Sequence, residues 1–201
     1  MGVSPFQTVG PFFNMFLRNR VPLVMVTPET RGQRISIEGV LYDGAGAPIP
    51  DGLVEIWQAD ADGRYAHPDD PRGTTADPSF YGYGWRHTGA AGDFRFDTIK
   101  PGRIAALSAS HGASHGAAPD GAPDGDAQAP HILVSVMGRG ILTRFITRLY
   151  FDDETANARD AVLQLVPEAR RQTLVARTTS PGQYRFDIRL QGADETVFFD
   201  A

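Results

Sequence analysis

Short apolar runs with a period of two recur along this 201-residue chain, and glycine, proline or aspartate bounds nearly every one. From Arg34 onward, Ile35, Ile37 and Gly39 fall on one face with Leu41 following. A turn then occupies residues 43–48, and a second apolar run covers 53–59. Further runs stand at 93–99, 131–137, 144–151, 184–190 and 196–199. A period of two places side chains on alternate faces of a strand, and runs this short suit strands rather than helices. With 22 Gly and 15 Pro, a share well above the roughly 12% of an average chain, turns are frequent and an all-helical bundle is excluded. The reading is all-β: a β-sandwich of mostly antiparallel strands with an extended N-terminal arm, large loops and two short helices.

Only residues 154–177 read as helical. Asp160 is placed to cap 161–165, and Pro167 opens 168–177, giving two short helices as a satellite of the sandwich. Residues 1–33 show no sustained period and carry Phe6, Phe12, Phe13 and Phe16, so they read as an arm that docks on a partner chain. Residues 34–201 form the sandwich. Within them, 103–129 fall to Ala, Gly, Ser, Asp and Pro with almost nothing to bury, which reads as a flexible surface insertion between two strands.

Composition narrows the function. With 19 Lys+Arg against 24 Asp+Glu the net charge is −5, which gives no electrostatic footprint for nucleic acid or an anionic membrane. The absence of cysteine excludes disulfides, thiolate metal sites and a cysteine nucleophile, so any metal sits on nitrogen and oxygen ligands. The N-terminal residues lack a basic segment followed by a long apolar run, and the apolar stretch 21–26 is far below the ~20 residues of a bilayer span. The expected location is the cytoplasm. No phosphate-cradling G-x-G-x-x-G or Walker loop opens a helix.

Five histidines and six tyrosines are the inventory for an oxygen/nitrogen metal site. His111 and His115 are four apart, a helical spacing, but the glycines and prolines around them disfavour a helix and leave them as solvated loop residues. His67 and His87 stand in turn-rich sequence where hydrogen bonding to a turn is the default role. His131 differs, because it follows Pro130 and begins a strongly apolar strand. The acid pairs Asp69-Asp70 and Asp152-Asp153 read as solvated or capping groups.

The segment from Gly39 through Asp43-Gly44, Glu55 and Trp57 to Asp62-Gly63-Arg64-Tyr65 resembles the signature of the intradiol ring-cleaving dioxygenases. The resemblance continues through 92–102, Ala129-Pro130-His131-Ile132, 147–153 and 184–192, so it covers nearly the whole chain outside the insertion. It implies a non-haem ferric ion held by two Tyr and two His, and a catecholate ring opened by O2. Tyr65 matches the first tyrosine ligand and His131 the first histidine. The second tyrosine position holds Ile104, after Lys100-Pro101-Gly102-Arg103, and the second histidine position holds Leu133. Two donors with Ile and Leu beside them do not supply the phenolate charge and imidazole that ferric iron requires. No iron is expected on this chain, and Tyr65 and His131 stand as vestigial ligand positions.

That departure matches the alpha chain of the family's two-chain enzymes, whose beta chain keeps the full ligand set and holds Fe(III). The expected partners are therefore a beta subunit and a small aromatic substrate at the alpha/beta interface, within a higher hetero-oligomer. The resemblance further implies that Thr8, Gly10 and Pro11 wall the substrate pocket of the partner, and that Arg139 lies near a substrate carboxylate, which its planar guanidinium suits. Two other readings stay open: a stand-alone enzyme with iron ligands rearranged onto His67, His87 or another tyrosine, and a sandwich used only for binding or scaffolding.

Overall fold

The computed structural model describes residues 8–10, 24–105 and 127–199. Nine strands run through them: β1 (Arg34–Tyr42), β2 (Leu53–Trp57), β3 (Tyr83–His87), β4 (Asp93–Ile99), β5 (His131–Met137), β6 (Phe145–Phe151), β7 (Val175–Ser180), β8 (Gln183–Arg185) and β9 (Ile188–Arg189). The first sheet has the order β3-β2-β5-β6 and is antiparallel throughout. The second has the order β4-β1-β8-β7, with β1 antiparallel to β4 and parallel to β8. Strand β7 is the corner that joins them. Val175 and Ala176 pair parallel with Tyr150 and Phe151 of β6, and the remainder, from Arg177, pairs antiparallel with β8.

The two sheets bury one core between them. Val54 and Ile56 of β2, Ile132, Val134 and Val136 of β5, and Leu149 and Phe151 of β6 face Ile35, Ile37, Leu41, Phe94, Phe96 and Tyr184 of the other sheet. Each side chain of this size contributes about 1.5–3 kcal/mol by leaving water. Because side chains alternate, the same three strands send Glu55, Trp57, His131, Leu133, Ser135, Arg148 and Tyr150 to the opposite face.

Several expectations are corrected by pairing across the sheets. Residues 184–190 read as one strand but break into β8 and β9. At Gly39 a Cβ would come within 1.9 Å of the Phe186 carbonyl oxygen, and this close approach lets the Phe186 N–H donate to Glu38 O at 2.8 Å. Residues 196–199 enter no ladder and are held instead by Phe199 N–H to Ile146 O (2.8 Å) and by the Thr147 hydroxyl to Val197 O (2.7 Å). Helix α1 (Ala161–Leu165) and its Asp160 cap form as expected, with Leu163 N–H donating to Asp160 Oδ1 at 2.8 Å. Helix α2 (Glu168–Arg171) and a 3-10 turn at Gln172–Leu174 follow, but Val175 already starts β7 rather than extending the helix to 177. Strand β3, with His87 at its end, takes the place of a turn-rich segment.

The expected division of the chain also shifts. Residues 24–33 pack on the body: Met25 is buried in the core, Tyr81 N–H donates to Met25 O at 2.9 Å, and Lys100 N–H donates to Gln33 O at 2.9 Å. At the insertion, Ile104 and Gln128 exchange both backbone hydrogen bonds (3.2 and 2.8 Å) and Ala129 is fully buried, so both roots belong to the fold. Residues 106–126, with His111 and His115, lie outside the described residues, as do Phe6, Phe12, Phe13 and Phe16 of the arm.

Asp160 ties the helical satellite to the sheets. Its carboxylate accepts from Ala129 N–H (2.8 Å), Tyr150 Oη (3.0 Å) and Leu163 N–H (2.8 Å), and the residue is fully buried. Truncation to Ala leaves two N–H groups and a phenol without partners, at about 1–3 kcal/mol for each that water cannot reach. Asp160→Ala is expected to lower the unfolding free energy by at least about 3 kcal/mol in urea titration. Asp97→Ala, at an exposed β4 position, is expected to change it by less than about 0.5 kcal/mol.

Candidate functional site

The register of the first sheet aligns Trp57, Leu133 and Arg148 in one row across β2, β5 and β6. Neighbouring strands lie about 4.8 Å apart, so these three side chains pave a strip roughly 10 Å wide. One step along, His131 is paired with Tyr150, their rings 5.7 Å apart. A cavity of about 410 Å³ opens over this strip. Its lining includes Trp57, Tyr65, His67, Ile104, His131, Leu133 and Arg148. All four positions that the sequence singled out as ligand positions, Tyr65, Ile104, His131 and Leu133, thus meet at one place.

Tyr65 reaches the cavity from the loop after β2, which two carboxylates shape. Asp60 is buried and accepts from the N–H groups of Asp62 (2.9 Å), Arg64 (2.9 Å) and Asp77 (2.8 Å). Asp70 accepts from Tyr65 N–H (2.9 Å) and Arg72 N–H (2.8 Å), so of the pair read as solvated or capping, Asp70 is a turn anchor while Asp69 is exposed. Gly63, in this loop, has φ +73°, and a Cβ there would stand 1.9 Å from the Arg103 carbonyl oxygen, next to Ile104. The ring of Trp57 packs at 4.7 Å on Tyr65 and edge-on at 6.0 Å to His67.

Burial sets the protonation of the cavity. The Tyr65 phenol is pushed up to about 12 by desolvation, against which the Arg148 charge acts in part, so it is neutral at physiological pH. His131 is pushed down to about 4, first by burial and then by Arg148, and its Nδ1 lies 2.8 Å from Ala129 O. A neutral ring in that contact carries its proton on Nδ1. Arg148 itself donates to Gln128 Oε1 at 2.7 Å and to Tyr150 Oη at 3.4 Å.

The residues assigned to a partner's substrate lie elsewhere. Arg139 is in the connection between β5 and β6, where its guanidinium meets Asp51 at 2.5 Å. Thr8 joins it there: Gly140 N–H donates to Thr8 Oγ1 at 2.8 Å, and the Thr8 hydroxyl reaches Gly138 O at 3.5 Å. Gly10 is exposed, and Pro11 lies outside the described residues. Strand β5 starts at His131 in the cavity and ends at Met137 before this cluster. At about 3.3 Å per residue the two places are separated by roughly 20 Å.

Comparison with known proteins bears on the whole chain. Residues 10–192 match the family model described as Dioxygenase. The chain is 42% identical to the protocatechuate 3,4-dioxygenase alpha chain of Burkholderia cepacia, over 98% of this chain and 96% of that one. This chain belongs to the intradiol ring-cleaving dioxygenases. It is also 36% identical to the beta chain of the Burkholderia cepacia protocatechuate 3,4-dioxygenase, over 94% of this chain and 76% of that one. Among solved structures, catechol 1,2-dioxygenase from Acinetobacter sp. ADP1 superposes with a TM-score of 0.61 at 20% identity, covering 88% of this chain and 60% of that one, which supports the fold.

Intradiol dioxygenases imply ferric iron, and the donors of this cavity do not fit it. Tyr65 and His131 offer one phenol and one imidazole, while Ile104 and Leu133 offer no donor atom. Both oxygens of Asp70 are held by backbone N–H groups. Among the described residues no group of three or more His, Asp or Glu is placed to hold a metal ion. Arg148 adds a positive charge that repels a cation. The alternation of β6 contained Arg148 all along, but only the register reveals that it shares a row with Leu133 and Trp57.

The His131 environment yields a stability test. In the unfolded chain its imidazole takes up a proton near pH 6.5, whereas in the fold it does so only near pH 4, so the unfolded state binds more protons between these values. Stability is therefore present above pH 6.5 and lost as pH falls towards 4, by about 3 kcal/mol from this residue. Urea titrations across that range are expected to show a shallower acid loss for His131→Leu than for the native chain.

Proposed function

We propose that this chain is the alpha subunit of a heteromeric protocatechuate 3,4-dioxygenase. The complex cleaves 3,4-dihydroxybenzoate with O2 to 3-carboxy-cis,cis-muconate at ferric iron held by a beta subunit, and the alpha chain holds none. The observation that carries this reading is a separation. The cavity at the head of β5 has lost two of its four donors, while Thr8 and Arg139 cluster about 20 Å away, beyond the other end of the strand. Groups so far from their own cavity serve a site on another chain.

In that role Thr8, Gly10 and Pro11 wall the substrate pocket of the beta subunit. Arg139 donates a charge-assisted, two-pronged hydrogen bond to the substrate carboxylate. The Asp51 carboxylate that meets Arg139 holds the guanidinium in place for that contact. The alpha and beta names of the relatives, each matched over most of this chain, support an alpha/beta pair, which we place in a larger hetero-oligomer in the cytoplasm. A stand-alone enzyme needs two further donors. Of the candidates considered, His67 is on the cavity wall, where its Nδ1 accepts from Asp69 N–H at 3.2 Å, and His87 is on edge strand β3 beside Trp85.

Purified alone, the chain is expected to carry no stoichiometric iron, no visible tyrosinate-to-iron colour and no ring-cleavage activity, all of which appear on co-expression with a beta chain. Iron and catechol turnover in the isolated chain would falsify this reading. In the complex, Arg139→Ala is expected to lower kcat/KM for 3,4-dihydroxybenzoate by about 1.5–3 kcal/mol of transition-state binding and to leave unsubstituted catechol nearly unchanged. Equal losses on both substrates remove Arg139 from the carboxylate site.

A further inference from the structure

Arg148 is the unspent charge of the cavity. Nη1 makes both of its hydrogen bonds, to Gln128 and Tyr150, which leaves Nε and Nη2 without a protein acceptor among the described residues. No carboxylate lies within 4.0 Å of the guanidinium there. The other arginine of the lining, Arg72, is in contrast committed, to Asp70 at 3.6 Å and to Gly63 O at 2.9 Å. Among these walls the free face of a guanidinium is a fork for one planar anion.

The rest of the lining describes what that anion is attached to. Trp57 and Tyr65, packed on each other at 4.7 Å, line it together with the aliphatic side chains of Ile104 and Leu133, so aromatic and aliphatic surface stands beside the cationic end. A volume of about 410 Å³ is within the range of small-molecule sites and takes a single substituted ring. The two carboxylates of the lining do not oppose an anion at Arg148. Asp70 is neutralised by Arg72, and Asp69 is exposed beside His67.

We propose that this cavity binds a small monocyclic aromatic carboxylate without a metal, its carboxylate on Arg148 and its ring against Trp57 and Tyr65. The site is this chain's own and is separate from the Thr8–Arg139 cluster. It rests on the proposed function in one respect, that iron does not fill the cavity, and metal content is therefore measured on the same sample.

The probe is benzoate, titrated into the full chain by calorimetry and by the fluorescence of Trp57, with Trp85→Phe removing the second indole. Saturable binding of one benzoate per chain is expected, with a rise in melting temperature that grows with benzoate concentration. Arg148→Gln is expected to weaken benzoate about tenfold or more while changing neutral benzamide little. Because Arg148 also holds Gln128 and Tyr150, a second variant leaves it in place: Leu133→Trp fills the cavity and is expected to abolish both ligands. In the complex with a beta chain, benzoate stoichiometry is expected to fall from two to one per alpha/beta pair in either variant. An iron-free chain that shows no saturation to about 20 mM benzoate overturns this proposal alone. So do folded Arg148→Gln and Leu133→Trp variants that bind benzoate as the native chain does. Stoichiometric iron in the isolated chain overturns this proposal and the proposed function together.

Discussion

Strands β2, β5 and β6 are each asked to satisfy two environments at once, and their pairing register is what reconciles them. On one face Val54, Ile56, Ile132, Val134, Val136, Leu149 and Phe151 complete the core. On the other, the same register sets Trp57 beside Leu133 beside Arg148. A slip of one residue would carry every one of these side chains to the wrong face, so the core and the cavity stand or fall together. Core burial, summed over the sheet, pins the register, and the placement of Arg148 is its by-product.

The sandwich was legible where strands alternate or run wholly apolar and was not where tertiary pairing decides. Strands β1, β2, β4, β5 and β6 all fall in runs visible in the sequence. Strand β7 does not, because Leu174 and Val175 follow a good helix-forming stretch and nothing local says that β6 and β8 wait on either side of the corner. Strand β3 hides behind Gly84 and a mixed polar and aromatic composition, and its place is set by the antiparallel ladder with β2. The break between β8 and β9 turns on the close approach of Phe186 to Gly39, a contact between residues 147 positions apart in sequence.

The site divides along the same line. Tyr65, His131, Ile104 and Leu133 sit in motifs, and motifs are local, so their positions could be read without a fold. Arg148 carries no motif of its own. Its meaning depends on the neighbours it meets across two ladders and on the absence of a carboxylate partner among the described residues, neither of which is a property of sequence spacing. The Asp51–Arg139 pair is similar: two loops bring together groups 88 residues apart.

A guanidinium in a cavity that has lost metal donors is physically consistent rather than accidental. A ferric site works by gathering anionic and neutral donors about a concentrated positive charge, and each missing donor leaves that charge less compensated in a dry environment. With Ile104 and Leu133 at two of the four positions, one phenol and one imidazole are the donors that remain, and burial keeps both neutral, with Tyr65 pushed up to about 12 and His131 down to about 4. Arg148 then supplies a positive charge that, unlike iron, is covalently attached and needs no ligand set beyond Gln128 and Tyr150. It also disfavours a metal ion, because a cation in the cavity meets a fixed like charge beside only two donors. The cavity thus presents a fixed positive charge of its own beside aromatic and aliphatic walls.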